Sequence, residues 1–341
     1  MRDHDRHPDH GTRRPPRSAA TDRLHVVLGG GGGIGAAIVR RLVADGRRVR
    51  AVGRSLDPAA HPGAEVVRAD ITTADGIDRA CAGAHVVFQA AQPAYHRWDR
   101  DFEPMTESVL GGVARHGARF VQIDNLYAYG PTAGPMTEET PRRATGRKGA
   151  TRIRMERRLL EAHERGEVPV VIGRASDVYG RGARSTLSAL VLDPAAAGRA
   201  MRWPADLDAP HTLHHVDDLA RAFVALADAD DAYGRVWHLP APEPITGREL
   251  CRLVNAALDE PVAIGTLSRT VLRVGGLFSR DAREVGETWY QWSRPFVSDA
   301  SRFERRFGAL PMTPHVEAIA ATVTALGAGQ LGSEAGRRAP A

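Results

Sequence analysis

The chain has 341 residues, a formal net charge of +5 at pH 7 and a composition ordinary for a globular protein, which suffices for one large domain or one domain with a smaller second one. No apolar run reaches the roughly 20 residues of a membrane-spanning helix, so we expect no membrane association. Basic residues are interleaved with acidic ones, without a basic stripe or an aromatic platform, which argues against a nucleic-acid partner. Cys81 and Cys251 form no CxxC motif, so we expect a reducing, cytoplasmic location.

The first 55 residues contain a pattern typical of a dinucleotide-binding fold. A strand is predicted at 24–28, a helix follows five consecutive glycines and ends near Gly46, and a second strand is predicted at 49–52. Glycines at the three GxxGxxG positions allow a sharp turn, close approach of a pyrophosphate and helix–strand packing. The predicted cofactor-binding residues of this turn are Gly29, Gly32, Gly33, Ile34 and Gly35. The alternative is a flexible glycine loop without a ligand.

The residues after the second strand indicate which dinucleotide is bound. NAD-binding proteins place Asp or Glu there for the ribose 2′-hydroxyl, whereas this chain has Gly53, Arg54 and Ser55. An arginine can bind a 2′-phosphate through two hydrogen bonds. We therefore favour NADP(H) over NAD(H), with Arg54 and Ser55 as cofactor contacts. The alternative is an ordinary solvated Arg54.

The following elements alternate between strand and helix, as in an α/β fold with a doubly wound parallel sheet. Strands are predicted at 65–68, 85–89, 119–124 and 168–174, and helices at 73–81, 102–116 and 151–165. A further helix, with a capping box formed by Thr246 and Glu249, is predicted to about Leu258, and another from Thr313–Pro314 onwards. Asp70 and Ile71 follow the third strand, where a side chain could reach the adenine. Ala90 and Ala91 follow the fourth, where small residues let a cofactor pass.

A loop at 93–98 follows the fourth strand at the carboxyl edge of the sheet, where α/β proteins bind ligands. Gln92, Tyr95, His96 and Trp98 are therefore predicted to contact substrate. A packed loop with an exposed histidine is an equal alternative.

Lysine usage is the most unusual feature of the composition. Of the 46 basic residues, 45 are Arg and Lys148 is the single Lys. An ammonium group, unlike a guanidinium, can lose its proton near neutral pH. Lys148 is thus a candidate for proton transfer. The alternative is that the single lysine stands at this position by chance.

The chain resembles an extended short-chain dehydrogenase/reductase of the NAD(P)-dependent epimerase/dehydratase type over about residues 24–326. The matching pieces are the GxxGxxG of residues 29–35, Asp70–Ile71, FQAA at 88–91, YGP at 129–131, GRASDVYGRG at 173–182 and HHVDDLARA at 214–222. The resemblance implies a Rossmann domain, 23–180 with about 211–240, and a smaller C-terminal substrate domain, about 181–210 with 241–326. Residues 1–22 are predicted to be a disordered leader and residues 327–341 a flexible tail.

The resemblance also implies an active site of Ser or Thr, Tyr and Lys, from which this chain departs. Asn125 stands at the Ser position, and no Tyr precedes a Lys by four residues. Allowing a one-residue gap, Lys148 falls at or beside the Tyr position and Arg152 at the Lys position. We expect Lys148 to be the acid/base, as in the similar isoflavone-reductase-like branch, Asn125 to orient the substrate oxygen and Arg152 to hold ribose or phosphate. Tyr127 is a reserve acid, and so is Tyr129, although each is more readily structural.

The residues expected to bind substrate also differ from the pattern of the family. His211 stands where similar nucleotide-sugar epimerases carry a phosphate-binding Arg, which disfavours a nucleotide-sugar substrate. Asp177 is predicted to contact substrate, and Arg174 to contact the cofactor or to form a structural pair with a carboxylate. The order H-x-x-H-H-x-D at 211–217 matches no zinc spacing, so we expect no metal.

These features favour an oxidoreductase that acts on a carbonyl or alcohol carbon of a small organic substrate, with a specialised metabolite as one candidate. One alternative is a non-redox epimerase, dehydratase or lyase that retains its cofactor. Another is an inactive NADP-binding sensor. The resemblance further implies a homodimer formed through the helices at 102–116 and 151–165.

Overall fold

The computed structural model describes residues 22–272 and 285–338, with side chains to residue 327. The leader predicted for residues 1–22 therefore lies almost wholly outside the described residues. Within the described part of the chain, no helix is long and apolar enough to cross a membrane.

A seven-stranded parallel sheet forms the centre of the fold. Its strands are β1 (Leu24–Leu28), β2 (Arg48–Gly53), β3 (Glu65–Arg68), β4 (Ala84–Gln89), β5 (Arg119–Asn125), β6 (Val170–Ala175) and β11 (Arg235–His238). They lie in the order β11-β6-β5-β4-β1-β2-β3 across the sheet. The six strands predicted from sequence are confirmed, with ends shifted by at most two residues. The sequence analysis did not predict the seventh strand, β11. The strand order reverses between β1 and β4, where doubly wound sheets bind nucleotides.

Helices cover both faces of the sheet and bury two apolar cores. α1 (Gly33–Ala44) and α6 (Val216–Asp228) pack on one face, around Ile38, Leu42 and Phe223. On the other face lie α2 (Ala74–Cys81), α3 (Trp98–Arg115) and α4 (Arg147–Glu164). The α/β class and the doubly wound sheet predicted from sequence are thus confirmed.

Two helices begin four residues earlier than predicted, and both shifts move candidate site residues into helices. α3 begins at Trp98, and Pro104 lies inside it rather than near its start. α4 begins at Arg147 with Gly146 as its N-cap, so Lys148 is its second residue. Gly149 allows this early start, because a Cβ there would lie 2.6 Å from the carbonyl oxygen of Tyr127.

A smaller lobe has its own core, built around Tyr179, Trp203, Leu250, Trp292 and Ile319. Its short strands are β7 (Asp177–Tyr179), β8 (Met201–Pro204), β9 (Pro210–His211), β10 (Leu213–His215), β12 (Ile245–Thr246) and β13 (Ile264–Leu267). Its helices are α5 (Asp193–Ala196), α7 (Gly247–Ala256) and α9 (His315–Arg338), while α8 (Ser301–Phe307) packs against the large domain through Phe303.

Two details of the smaller lobe bear on the predicted helix ends. The capping box predicted for Thr246 and Glu249 is present at the start of α7. Helical backbone in α9 extends to Arg338, into the segment after residue 326 that we predicted to be a flexible tail.

Ion pairs join α3 to α4 along the face predicted to form a homodimer. Arg158 binds Glu107 through two hydrogen bonds of 2.8 and 3.1 Å, and Arg154 pairs with Glu103. These contacts lie within one chain, so the homodimer stays a prediction.

Candidate active site

The glycine-rich turn after β1 is shaped by close backbone contacts. Gly29 has a φ of +81°, and a Cβ there would lie 2.5 Å from the backbone nitrogen of Ala91. A Cβ at Gly35 would lie 2.2 Å from the carbonyl oxygen of Gly29. Gly32 is the N-cap of α1, so the next three N–H groups have no acceptor within the helix. The turn therefore fits the pyrophosphate of a dinucleotide, whose oxygens accept such hydrogen bonds.

Three neighbouring residues of this predicted site can offer a ligand only limited contacts. A Cβ at Gly33 would lie 2.6 Å from the Cα of Ala183, so the segment after β7 covers this residue. Ile34 packs partly buried against the α1 core. Ala90 is half-buried beside Gly35. These residues can contribute backbone groups or small surfaces, but no polar side chain.

The predicted ribose and adenine contacts follow β2 and β3. Arg54 and Ser55 are exposed at the end of β2. Asp70 accepts hydrogen bonds from the hydroxyl and N–H of Thr72, which, with a smaller effect of Arg54, hold the pKa of Asp70 below its usual value. Ile71 is buried in the core, and its contact with the adenine stays a prediction.

A cavity of about 170 Å³ lies at the start of α4, between the large domain and the segment that begins at residue 285. It is lined by Tyr127, Gly130, Pro131, Ala144, Thr145, Gly146, Lys148, Gly149, Glu287, Thr288 and Tyr290. The side chain of Lys148 is only 4% exposed, and its Nζ lies 3.4 Å from Oε2 of Glu287. The same amine lies 4.4 Å from the centre of the Tyr95 ring. Lys148 is thus a wall residue of a partly open, mostly apolar space.

Burial shifts the pKa of the amine and the pKa values of the phenols of this site in opposite directions. Desolvation lowers the pKa of Lys148, and Glu287 partly opposes that shift. Desolvation raises the pKa of Tyr95 to about 12 and raises that of Tyr127 well above its usual value. The phenols therefore stay protonated at neutral pH, whereas the pKa of the amine moves toward neutrality.

Tyr95, Tyr127 and Asn125 form a hydrogen-bonded group next to the cavity. The hydroxyls of Tyr95 and Tyr127 lie 3.2 Å apart. The side-chain oxygen of Asn125 accepts a hydrogen bond of 3.1 Å from the N–H of Tyr127. This contact uses the amide oxygen and leaves the side-chain N–H₂ as a donor. Tyr95 and Asn125 do not line the cavity itself, but both contact a residue that does.

Arg152 is buried between aromatic rings rather than exposed to a channel. Its guanidinium carbon lies 4.4 Å from the Trp98 ring centre and 4.3 Å from that of Phe102, and one nitrogen lies 3.1 Å from Oδ1 of Asp124. Among the residues that the structure describes, none accepts a hydrogen bond from a side-chain nitrogen of Arg152. A buried donor group without acceptors is costly, so these nitrogens fit a ligand that supplies acceptors.

Arg174 does not face a ligand. Its side chain is fully buried, donates to Asp124 at 2.8 Å and Glu156 at 2.6 Å, and lies 3.1 Å from the hydroxyl of Tyr129. That hydroxyl lies 2.6 Å from a ring nitrogen of His238. The structural alternative considered for Arg174 is therefore correct, its predicted cofactor contact is wrong, and Tyr129 belongs to the same internal network.

Two of the predicted substrate residues contact each other. The Nε2 of His211 lies 3.0 Å from Oδ2 of Asp177, and the imidazole stacks on Trp292 with ring centres 4.7 Å apart. Both side chains are nearly buried, and neither lines the cavity. The pair positions two elements of the smaller lobe, β7 and β9, relative to each other.

The remaining predicted substrate residues lie around α3. Trp98 is 4% exposed, donates its indole N–H to the carbonyl of Pro93 and contacts Arg152. Trp98 does not line the cavity, and its contact with substrate stays a prediction. Gln92 is exposed and His96 half-buried, and neither lines the cavity.

The cavity residues that the sequence analysis missed include Glu287, Thr288 and Tyr290. They come from a segment almost 140 residues after Lys148 along the chain. The only local signal is the aromatic run WYQW at 289–292, in a chain with 6% aromatic residues. Among the residues that the structure describes, no group of three or more His, Cys, Asp and Glu side chains could hold a metal ion.

Known proteins resemble this chain along most of its length. A 2-alkyl-3-oxoalkanoate reductase from Stenotrophomonas maltophilia (strain K279a) is 27% identical over 273 residues, covering 75% of this chain and 82% of that protein. UDP-glucuronic acid 4-epimerase from Bacillus cereus, in complex with UDP-glucuronic acid and NAD, is 17% identical with a TM-score of 0.73, covering 90% of this chain and 99% of that one. A dTDP-glucose 4,6-dehydratase from Streptomyces venezuelae with NAD bound is 20% identical with a TM-score of 0.72, covering 89% and 96%.

The two solved structures share the fold at identities too low to indicate a substrate. Residues 25–239, more than half of the chain, match the NAD dependent epimerase/dehydratase family. This match confirms the resemblance drawn from the sequence motifs. The chain therefore belongs to the NAD dependent epimerase/dehydratase family and is an NAD(P)-dependent enzyme of the oxidoreductase, epimerase and dehydratase type.

Proposed function

We propose that this protein is an NADP(H)-dependent oxidoreductase that exchanges a hydride with a carbonyl or alcohol carbon of a small organic substrate. Lys148 replaces the family's tyrosine as the proton donor. The observation that carries the proposal is the Lys148 side chain, 4% exposed in the wall of a cavity of about 170 Å³. Burial raises the pKa values of the phenols beside it and lowers the pKa of the amine, so the ammonium is a stronger acid than either phenol.

The substrate class is proposed from one relative and from His211, which stands where similar nucleotide-sugar epimerases carry a phosphate-binding Arg. The name of the Stenotrophomonas relative describes reduction of 2-alkyl-3-oxoalkanoates, which contain a ketone group. We therefore propose short 3-oxo compounds as the first substrates to test.

NADPH, when bound, supplies the hydride that reaches the carbonyl carbon. The Lys148 ammonium donates a proton to the carbonyl oxygen as that oxygen gains negative charge, and water reprotonates the resulting amine. The free side-chain N–H₂ of Asn125 donates a hydrogen bond that orients the same oxygen. The net change is one hydride and one proton added to the carbonyl group.

Residues of three elements would hold the cofactor. The first-turn N–H groups of α1 would bind the pyrophosphate, and Arg54 the 2′-phosphate. The Arg152 guanidinium, which makes no hydrogen bond to the described part of the chain, would donate to ribose hydroxyls.

The direct test is to mix the purified protein with NADPH and a panel of short 3-oxo acids, 3-oxo esters and simple ketones. We expect NADPH to be consumed and an alcohol to form. Cofactor that copurifies and is never consumed, with conversion of substrate, would favour the non-redox alternative. Tight NADPH binding without conversion of any compound would favour the sensor. Both results contradict the proposal.

Replacing Arg54 with Ala tests the preference for NADP(H). The loss of a charge-assisted contact should weaken NADPH binding about 10- to 100-fold and leave NADH binding unchanged. Fluorescence titration with each cofactor measures this directly. Arg48→Ala is the matched control, because Arg48 is exposed at the opposite end of the same strand. Equal losses for NADPH and NADH would contradict the role given to Arg54.

A further inference from the structure

Glu287 reaches the start of α4 from a distant part of the chain and contacts Lys148 twice. Its Oε1 accepts a hydrogen bond of 2.7 Å from the backbone N–H of Lys148, and its Oε2 lies 3.4 Å from Nζ of the same residue. The side chain of Glu287 is 17% exposed and forms part of the cavity wall. Gly146 makes room for it, because a Cβ at this N-cap would lie 2.8 Å from Oε1.

We propose that Glu287 is the positioning residue of Lys148, with one carboxylate oxygen fixing the backbone of the first helical turn and the other holding the ammonium group at the cavity. The inference rests on the proposed function of Lys148 and adds a residue of the C-terminal part of the chain to the site. The Glu287 carboxylate restricts the four side-chain torsions of Lys148 and so the positions that its amine can take. A positioned amine reaches the substrate oxygen at a smaller entropic cost.

A carboxylate at a helix N-terminus is a common capping arrangement that stabilises a helix without any catalytic role. The second oxygen distinguishes Glu287 from such a cap, because it faces the amine. Glu287→Gln separates the two roles. The glutamine amide oxygen can still accept from the Lys148 N–H, but the negative charge near Nζ is lost.

The sign of the electrostatic effect follows from the groups around the amine. Glu287 and Asp99 favour the charged ammonium, whereas burial and Arg147 disfavour it. The Tyr95 ring also faces the ammonium, and the phenols of Tyr127 and Tyr290 in the cavity wall are neutral. Removing the Glu287 charge therefore lowers the pKa of Lys148, so that the ammonium is lost at a lower pH.

The single lysine allows a test that needs no activity. Full-length protein labelled with ¹³C-lysine has one lysine Cε signal, whose shift with pH reports the protonation of Lys148. We expect the midpoint to move to lower pH in Glu287→Gln and to stay unchanged in Glu107→Gln. Glu107→Gln is the matched control, because Glu107 of α3 also pairs with a basic residue of α4. It forms two hydrogen bonds with Arg158, which lies on the same helix as Lys148. An unchanged midpoint in folded Glu287→Gln would overturn the inference.

Kinetics give the second readout. We expect kcat to fall about 10-fold in Glu287→Gln, with little change in KM, because a positioned charge acts mainly in the transition state. Activity, which needs the ammonium, should also be lost at a lower pH than in the native protein. The kcat of Glu287→Ala, which removes both contacts, should be lower than that of Glu287→Gln.

A fall in thermal stability with unchanged kcat and pH profile would show that Glu287 only caps the helix, and it would overturn the inference. If Lys148→Ala retained turnover while the lysine signal still responded to Glu287→Gln, the catalytic proposal would fail and the contact would stand.

Discussion

Replacing Lys148 with Ala is expected to lower turnover of NADPH with a ketone about 10²- to 10⁴-fold, the usual contribution of a general acid. Lys148→Arg should lower turnover by nearly the same factor. A guanidinium keeps the charge but cannot release its proton near neutral pH, and its planar head is larger than the ammonium. NADPH binding should change little in either variant, because the glycine-rich turn and Arg54 lie on other elements. Steady-state kinetics and fluorescence titration measure the two effects separately.

The matched control for Lys148 is Arg157→Ala. Arg157 is 72% exposed on the same helix and should affect neither turnover nor binding. Turnover retained by Lys148→Arg and lost by Lys148→Ala would mean that charge alone matters, without proton transfer. Turnover retained by both variants would exclude Lys148 as the proton donor and would favour Tyr127 in that role.

Asp124→Asn is expected to lower the free energy of unfolding by about 3–5 kcal/mol, the cost of removing one partner from a buried ion pair. Asp124 is 3% exposed on its side chain and stands between two fully buried arginines. One oxygen lies 3.1 Å from Arg152 and the other 2.8 Å from Arg174. Glu156 still pairs with Arg174 in the variant, but the Arg152 charge is left in the core beside Trp98. Urea unfolding followed by circular dichroism measures the loss.

Two further variants show whether the loss comes from the buried charges. Asp78→Asn removes an exposed carboxylate that pairs with Arg115, and it should leave the stability almost unchanged. The double variant Asp124→Asn with Arg152→Met removes a buried charge along with its partner, so it should be more stable than Asp124→Asn alone. A double variant less stable than the single one would contradict this account of the core.

The parts of the fold that could be predicted from sequence are those with local signals. The strand, glycine turn and helix at 24–44 combine a short apolar run, glycines at fixed spacing and an amphipathic period, and all three lie where predicted. The capping box at Thr246 is equally local. The start of α4 was missed because Gly146 and Gly149 resemble a loop in sequence, whereas tertiary contacts with Tyr127 and Glu287 make the helix begin there.

The site was predictable only where one residue type stood out. Lys148 attracted attention as the single lysine, and it does lie in a cavity wall. Arg174 carried no such signal. Its burial depends on Asp124 and Glu156, which are 50 and 18 residues away along the chain. Glu287 could not be found at all, because nothing in the local sequence links it to a residue 139 positions earlier.

The central claim is that the Lys148 amine, and not a phenol, gives the proton to the substrate oxygen. A crystal structure with NADP⁺ and an intact ketone substrate tests it most directly, because oxidised cofactor has no hydride to transfer. We predict that the ketone oxygen lies within hydrogen-bond distance, roughly 2.6–3.2 Å, of the Lys148 Nζ. A ketone oxygen bound instead to the hydroxyl of Tyr95 or Tyr127, with Lys148 out of reach, would contradict the account.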